Sequence, residues 1–266
     1  MISRSENNEQ SPTVPDLRCH LERPLRRVMI IAPNRDDLHK IVILNPKGGC
    51  GKTTLATNLA SYFALNGPPP TLIDSDPNGY TVRWLSKRPR NSSEIHGIAS
   101  YDLSIRATRS WQLRIPDETS TVIIDTPAAL DQREIHELTY AADAILIPVL
   151  PSAIDVRFAT GFIAEVLLQT QFERRVAVVA NRTRQNTDSL KMLMRVLANI
   201  ETPVVSVLRD SQNYLHAANL CLGIYEMPHH LVKKDTAQMD QVINWLDQRL
   251  ERSSGQYAHV ANRQSV

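Results

Sequence analysis

Short runs of Val, Ile and Leu recur along the chain and are separated by longer stretches that we interpret as helices. Within each run the hydrophobicity is nearly continuous, which is typical of strands buried on both faces of a sheet. We therefore predict six strands, at residues 40–45, 70–76, 120–127, 143–150, 175–181 and 203–208. A shorter run at residues 94–101 is a further candidate strand within a less regular stretch, residues 78–115.

The stretches between these strands predict helices at residues 52–66, 131–142, 153–171 and 188–199. A closing helix is expected at residues 237–250, because four apolar side chains there share one helical face: Val242, Ile243, Leu246 and Leu250. Alternation of strands and helices predicts an α/β fold of three layers, with a mostly parallel sheet and helices on both faces.

The two ends of the chain differ from this middle part. Residues 1–39 are expected to be a flexible amino-terminal extension, since residues 1–24 are polar and punctuated by proline. The run "RRVMIIAP" at residues 26–33 is a candidate for an added strand or a docking segment, and Met29 is an alternative start. Residues 40–252 would form the folded domain, and residues 253–266 a polar tail.

Composition narrows the class of protein. The 266 residues are 42% hydrophobic and 22% charged, as in ordinary globular proteins, and the net charge of +2 is nearly balanced. Cys19, Cys50 and Cys221 show no C-x-x-C spacing, which argues against a disulfide framework or a zinc cluster and suits a reducing compartment. No apolar run approaches the length of a membrane span, and residues 1–10 are too polar for a signal peptide, so we expect a cytoplasmic protein.

The stretch "NPKGGCGKTT" at residues 45–54 lies between the first predicted strand and the first predicted helix, which is the setting of a phosphate-binding P-loop. Gly51, Lys52 and Thr53 match the end of the P-loop pattern, although Pro46 stands where the pattern has its first glycine. Gly48, Gly49 and Gly51 would let backbone N–H groups point at phosphate oxygens. Lys52 would reach the β- and γ-phosphates, and the Thr53 hydroxyl would bind Mg²⁺. The predicted fold is therefore that of a P-loop NTPase.

Carboxylates end two of the predicted strands beside this loop. Asp125 ends "TVIID", the usual place for an acid that holds a metal-bound water, and Asp74 and Asp76 follow "TLI" on the same side of the chain. Clusters of Asp, Pro, Asn and Gly also occur in simple turns, so Asp74 is alternatively a residue that caps the turn.

Three motifs, "KGGCGKTT", "LIDSDPNGY" and "VIIDTPAAL", together resemble those of the ParA/MinD family of deviant Walker A ATPases, over residues 40–250. The resemblance implies that the extra lysine, Lys47, reaches across an ATP-sandwich homodimer to the partner's nucleotide. It also implies roles for five other residues. Asp76 would orient the attacking water, Asp74 would support the switch region and contribute to the metal site, Thr54 would contact the α-phosphate, Asp125 would hold Mg²⁺ through water, and Asn181 would read the adenine edge of ATP.

The chain departs from the family's pattern at two places. It has Asn78 where the family often has glutamine, and Leu208 precedes Arg209 where many partition members have Ile-Pro-Arg. Cys50, inside the loop, is interpreted as a small filler rather than a nucleophile.

Within this family, members differ in what the ATP dimer binds. The polar tail fits poorly with a MinD-like membrane helix, so no stable membrane binding is expected, and three scattered cysteines give little support to an iron–sulfur protein. The resemblance favours a ParA-like protein that binds nonspecific double-stranded DNA of the nucleoid, distributes a plasmid, a chromosome region or a body such as a carboxysome, and is stimulated by a cargo adaptor. A MinD-like protein and a metabolic P-loop enzyme are the alternatives. The candidate DNA-binding residues are Arg182, Arg184, Lys191, Arg195, Arg209, Lys233 and Lys234.

Overall fold

The computed structural model describes residue 35 and residues 37–102, 115–140, 142–170, 175–200 and 202–261. The candidate strand or docking segment at residues 26–33 lies outside these residues, as does Met29. No helix in the described ranges is both long enough and apolar enough to cross a membrane.

Seven parallel strands form one sheet in the order β3-β2-β4-β1-β5-β6-β7. The strands are β1 (His39–Ile43), β2 (Thr71–Asp74), β3 (His96–Ala99), β4 (Thr121–Asp125), β5 (Ala144–Val149), β6 (Val176–Thr183) and β7 (Val204–Arg209). Because the strands are parallel, all their carboxyl ends lie at one edge of the sheet, where ligands of open α/β folds bind. The candidate strand at residues 94–101 is confirmed as β3.

The helices in the described part of the chain are α1 (Lys52–Asn66), α2 (Tyr80–Ser86), α3 (Gln132–Tyr140), α4 (Ala153–Gln169), α5 (Asp188–Ala198), α6 (Gln212–Asn219) and α7 (His229–Ala261), with short 3₁₀ turns at Ser100–Asp102 and Ile224–Glu226. Two apolar cores enclose the sheet. Side chains of α3, α4 and α5 pack on one face, and those of α1 and α7 on the other. Successive residues of β1 serve the two cores in turn: Val42 faces the first, and Ile41 and Ile43 the second. This is the three-layer α/β fold that the sequence predicts.

Two short helices and the limits of the last helix differ from the sequence prediction. Helices α2 and α6 were not predicted, because each buries few side chains and shows no long apolar period. Helix α7 begins at His229, eight residues before the predicted start, and runs through residues 253–261, where we expected a polar tail. Glu, Arg and Gln tolerate the helical conformation well and no proline interrupts this stretch, so the helix continues beyond its apolar face despite the lower propensity of Ser253, Ser254 and Gly255.

Candidate functional site

The glycine-rich loop joins β1 to α1 at the carboxyl edge of the sheet. Asn45 shapes its start, because its side-chain oxygen accepts from the backbone N–H of Lys47 at 2.9 Å and its amide donates to Pro148 O at 2.7 Å. Gly51 has a φ of 101°, and a Cβ placed there would lie 2.1 Å from Asn181 Nδ2. The backbone conformation therefore favours glycine at position 51, and a larger residue would also displace the Asn181 amide.

Lys52 is buried at the start of α1, with 7% of its surface exposed. Its ammonium donates to Asn45 O at 2.8 Å and to Lys47 O at 3.1 Å, so it lies folded against the loop. The ammonium group of Lys52 thus donates to two carbonyl oxygens of the loop, and a bound phosphate would take the place of these acceptors. Cys50 is also buried and its thiol donates to Lys47 O at 3.3 Å; burial raises its pKa. A buried thiol with a raised pKa is a poor nucleophile, which agrees with its interpretation as a filler.

Lys47 lies beside the loop in a different environment. About a third of its side chain is exposed, and its ammonium forms an ion pair with Asp155, in the first turn of α4. Asp155 is buried and is itself fixed by Ser152, the N-cap residue, whose hydroxyl contacts the carboxylate and accepts from the Asp155 backbone N–H at 3.1 Å. Sequence reasoning missed Asp155, although the Ser-x-x-Asp spacing at the end of a buried strand is a recognisable helix start.

Asp125, at the end of β4, has the properties of a cation ligand. It is fully buried, and Thr81 donates to its Oδ2 at 2.6 Å. No described residue hydrogen-bonds to the other oxygen, Oδ1. Burial raises the pKa of Asp125 to about 6, while the Thr81 and Thr53 hydroxyls act in the opposite direction. Oδ1 of Asp125 is buried and accepts no hydrogen bond from the described residues, and the Thr53 hydroxyl lies near the same carboxylate. Carboxylate and hydroxyl oxygens are the kind of ligand that Mg²⁺ prefers.

Asp74 lies opposite Asp125 on the neighbouring strand β2. Its Oδ1 accepts from the backbone N–H of Asp76 at 3.0 Å, and its Oδ2 accepts from that of Val82 at 3.1 Å. Burial raises the pKa of Asp74. One oxygen therefore holds the backbone of Asp76, and the other holds the first turn of α2. This geometry favours the supporting and turn-capping interpretations over direct contact with a metal.

A cavity of about 290 Å³ opens beside the glycine-rich loop, and residues of β6, β7 and α6 line its walls. Asn181 lines it at an irregularity in β6, where the register shifts and Arg182 has a φ of 49°. The Asn181 amide donates to Cys50 O at 2.8 Å, and its oxygen accepts from the Arg182 backbone N–H at 2.9 Å. The structure thus places Asn181 at the cavity, with its side chain bound to the loop.

Arg209 also lines this cavity, and 37% of its side chain is exposed. Its guanidinium donates to both oxygens of the buried Asp235, at 2.5 and 2.8 Å. Burial acts to raise the pKa of Asp235, but hydrogen bonds from Arg209, Asn213 and Ser211 outweigh it and leave the pKa below its usual value. Arg209 is therefore a weaker candidate for contacts with DNA phosphates than the sequence indicates.

The other basic candidates are exposed on elements around the β7 edge of the sheet. Arg184 forms an ion pair with Asp210 at 3.2 Å, and Lys191 pairs with Asp188 at 3.4 Å. Helices α5 and α7 pack on opposite faces of the sheet. The exposed candidates therefore surround this edge instead of forming one flat patch: Arg182, Arg184, Lys191, Arg195, Lys233 and Lys234.

Comparisons with known proteins agree with a nucleotide-binding P-loop fold. Residues 41–219 match the model of the CobQ/CobB/MinD/ParA nucleotide binding domain. The chain is similar to the maintenance of carboxysome distribution protein A of Halothiobacillus neapolitanus, at 28% identity over 190 residues, which cover 70% of this chain and 87% of that protein.

Two solved structures share the fold. A plasmid partition protein of Borrelia burgdorferi bound to AMPPNP has a TM-score of 0.60 at 15% identity, covering 78% of this chain and 99% of that one. An ATP complex of a McdA variant from Cyanothece has a TM-score of 0.58 at 19% identity, covering 77% of this chain and 96% of that one.

Proposed function

Because this chain belongs to the CobQ/CobB/MinD/ParA nucleotide-binding family, we propose that it is an ATPase whose ATP-bound form dimerises, binds DNA and distributes a cargo. The observation that carries this proposal is the presence of two lysines in different environments on one phosphate loop. Lys52 is buried against loop carbonyls, whereas Lys47 is partly exposed and paired with Asp155. One lysine can serve the nucleotide of its own subunit while the other turns outward.

ATP would bind with its phosphates along the loop and its adenine in the adjacent cavity. Lys52 would exchange its two carbonyl contacts for the β- and γ-phosphates, a charge-assisted interaction. Thr54 would contact the α-phosphate, and Asn181, at the cavity wall, would contact the adenine edge. Two solved structures of the same fold are bound to AMPPNP and ATP, which supports ATP as the nucleotide. Backbone N–H groups of the loop would complete the phosphate site: Gly48, Gly49, Cys50 and Gly51.

Mg²⁺ would be held by Thr53 and, through water, by Asp125. The orphaned Oδ1 of Asp125 supports this role. The ion would neutralise charge on the β- and γ-phosphates. Asp74 would not contact the ion but would fix the backbone of Asp76 and the first turn of α2.

Dimerisation would bring Lys47 to the nucleotide of the partner subunit. A second cation at the γ-phosphate would stabilise charge that develops during phosphoryl transfer, as an arginine finger does. Asp76 would orient the attacking water. Because Lys47 would bind the nucleotide across the dimer interface as well as take part in catalysis, the lifetime of the dimer would depend on ATP.

Cargo distribution is supported by the similar proteins, among which carboxysome distribution and partition proteins recur. We infer a carboxysome-like protein body as the first candidate cargo, with a plasmid or chromosome region as alternatives. The protein would act in the cytoplasm on the nucleoid, and a cargo-adaptor protein would raise a slow basal rate of hydrolysis. The exposed basic residues around the β7 edge would contact phosphates, so binding to DNA would not depend on sequence.

The test is co-sedimentation with duplex DNA and, separately, with anionic liposomes, each with ATP, with ADP and without nucleotide. We expect retention on DNA with ATP alone. Retention on liposomes but not on DNA would favour a MinD-like protein. Retention on neither, together with fast hydrolysis that depends on a small-molecule acceptor, would favour a metabolic enzyme.

A further inference from the structure

The loop between β2 and α2 forms a closed turn around Asp76. Its backbone is set by a hydrogen bond from Gly79 N to Asp76 O at 2.8 Å. Asn78 donates twice to the same oxygen of Asp76, Oδ1, from its backbone N–H and from its side-chain Nδ2, both at 2.9 Å. Among the described residues, no hydrogen bond engages the second oxygen, Oδ2. One carboxylate oxygen is thus fixed and the other is left open.

Asn78 is in turn fastened to the adjacent helix. The Arg83 guanidinium donates to Asn78 O and lies over the Tyr80 ring, 4.8 Å from its centroid. Helix α2, which carries Arg83, is tied at its first turn to the two strand-end carboxylates, through Thr81 to Asp125 and through Val82 to Asp74. Asn78 therefore connects Asp76, through Arg83 and helix α2, to Asp125, which would hold the metal.

We propose that Asn78 is the positioning residue for Asp76, holding Oδ1 so that Oδ2 faces the attacking water. This inference rests on the proposed function. In hydrolysis the water oxygen forms a bond to the γ-phosphorus while the bond from that phosphorus to the β–γ bridging oxygen breaks. The electron pair of that bond leaves on ADP, and the water proton moves toward Asp76 Oδ2. Two donors on Oδ1 restrict the rotation of the carboxylate, which supplies orientation before ATP binds.

The short side chain of Asn78 is what makes this contact possible. Its amide closes onto a carboxylate two residues earlier, the spacing of an Asx-type turn. Glutamine would carry its amide one methylene farther from the backbone than Asn78 does. Position 78 thus has a local structural consequence at Asp76.

The test compares Asn78→Ala with Asn91→Ala, a second exposed loop asparagine. Single-turnover hydrolysis and ATP affinity are measured for both. We expect Asn78→Ala to lower the rate constant for hydrolysis about tenfold with ATP affinity within about twofold of the wild type, since misplacement of a catalytic group affects rate more than binding. Asn78→Asp, which has the same shape but lacks the side-chain donor, should be at least as slow. Asn91→Ala should match the wild type.

A double-mutant cycle shows whether Asn78 acts through Asp76. If it does, Asp76→Ala and Asp76→Ala/Asn78→Ala hydrolyse ATP at the same slow rate, because the second change has nothing left to position. Additive losses, or a loss of ATP affinity in Asn78→Ala, would overturn the inference and indicate a structural role. A wild-type rate in Asp76→Ala would contradict the proposed function itself. A slow Asp76→Ala with a normal Asn78→Ala would overturn only the role of Asn78.

Discussion

Lys47 is paired with Asp155 within a single subunit, although its proposed role is to contact the nucleotide of a partner. The pair joins the phosphate loop to the first turn of α4, and Asp155 is buried while Lys47 remains partly exposed. Lys47 must therefore give up this contact before it can cross a dimer interface. In the proposed dimer, the ion pair would compete with the partner's nucleotide for the same ammonium group.

The first prediction is that Asp155→Asn increases the fraction of dimer at a limiting ATP concentration. A partly exposed ion pair contributes up to about 1 kcal/mol, so its loss should lower the ATP concentration at half-dimerisation by up to about fivefold. Sedimentation velocity across an ATP titration measures this shift. Asp188→Asn, which removes the exposed partner of Lys191, is the matched control and should leave the curve unchanged. A smaller dimer fraction in Asp155→Asn would contradict the competition.

The second prediction separates the two lysines of the loop. Lys52→Ala should weaken ATP binding by about 10- to 150-fold, since a hydrogen bond to a charged group contributes about 1.5–3 kcal/mol. Lys47→Ala should bind ATP within about threefold of the wild type but lose ATP-dependent dimerisation and hydrolysis. Fluorescent-nucleotide titration and size-exclusion chromatography measure the two properties. An equal loss of ATP affinity in both variants would exclude the cross-dimer role of Lys47.

The third prediction concerns a buried ion pair at the far end of α2. Arg88 and Glu226 are less than a tenth exposed, and the guanidinium donates to both carboxylate oxygens at 2.7 and 3.0 Å. Arg88→Met should lower the free energy of unfolding by about 3–5 kcal/mol, because Glu226 is left buried without its partner. Urea unfolding measures the change.

Two variants control this experiment. Arg133→Met breaks an exposed pair with Glu137 and should cost less than about 1 kcal/mol. The double variant Arg88→Met/Glu226→Gln removes the unpaired charge and should recover part of the loss. A loss in Arg88→Met no larger than in Arg133→Met would mean that solvent reaches Glu226.

Local sequence patterns were sufficient for the sheet and for much of the loop. The centres of β1 and β4, residues 41–43 and 122–124, are apolar because both faces of each strand are covered, and the limits of α1 were predicted without error. Asp125 was found because a polar residue at the end of such a run is conspicuous. The roles of the site residues remain predictions.

Contacts between distant parts of the chain were beyond the sequence. Asp155 lies more than a hundred residues from Lys47, and Asp235 lies 26 residues from Arg209 on another element, so no local pattern joins either pair. Helices α2 and α6 were missed for a related reason. Short helices gain most of their stability from tertiary packing, which a window of sequence does not contain.

The last prediction concerns DNA. If each ATP-bound dimer neutralises about four to six phosphates, the logarithm of its affinity should fall against the logarithm of salt concentration with a slope of about −4 to −5.

Lys233 and Lys234 are exposed at the start of α7, whereas Arg209 forms an ion pair with Asp235. Lys233→Ala/Lys234→Ala should therefore flatten the slope by about 2 to 4, since a dimer loses two to four contacts. Lys87→Ala/Arg90→Ala removes the same charge from two exposed residues that follow α2, a helix that packs on β2 and β3, and should keep the wild-type slope. Fluorescence anisotropy on two unrelated duplexes at several salt concentrations measures both. Equal flattening by the two double variants would show that net charge, and not the surface at the start of α7, determines DNA binding.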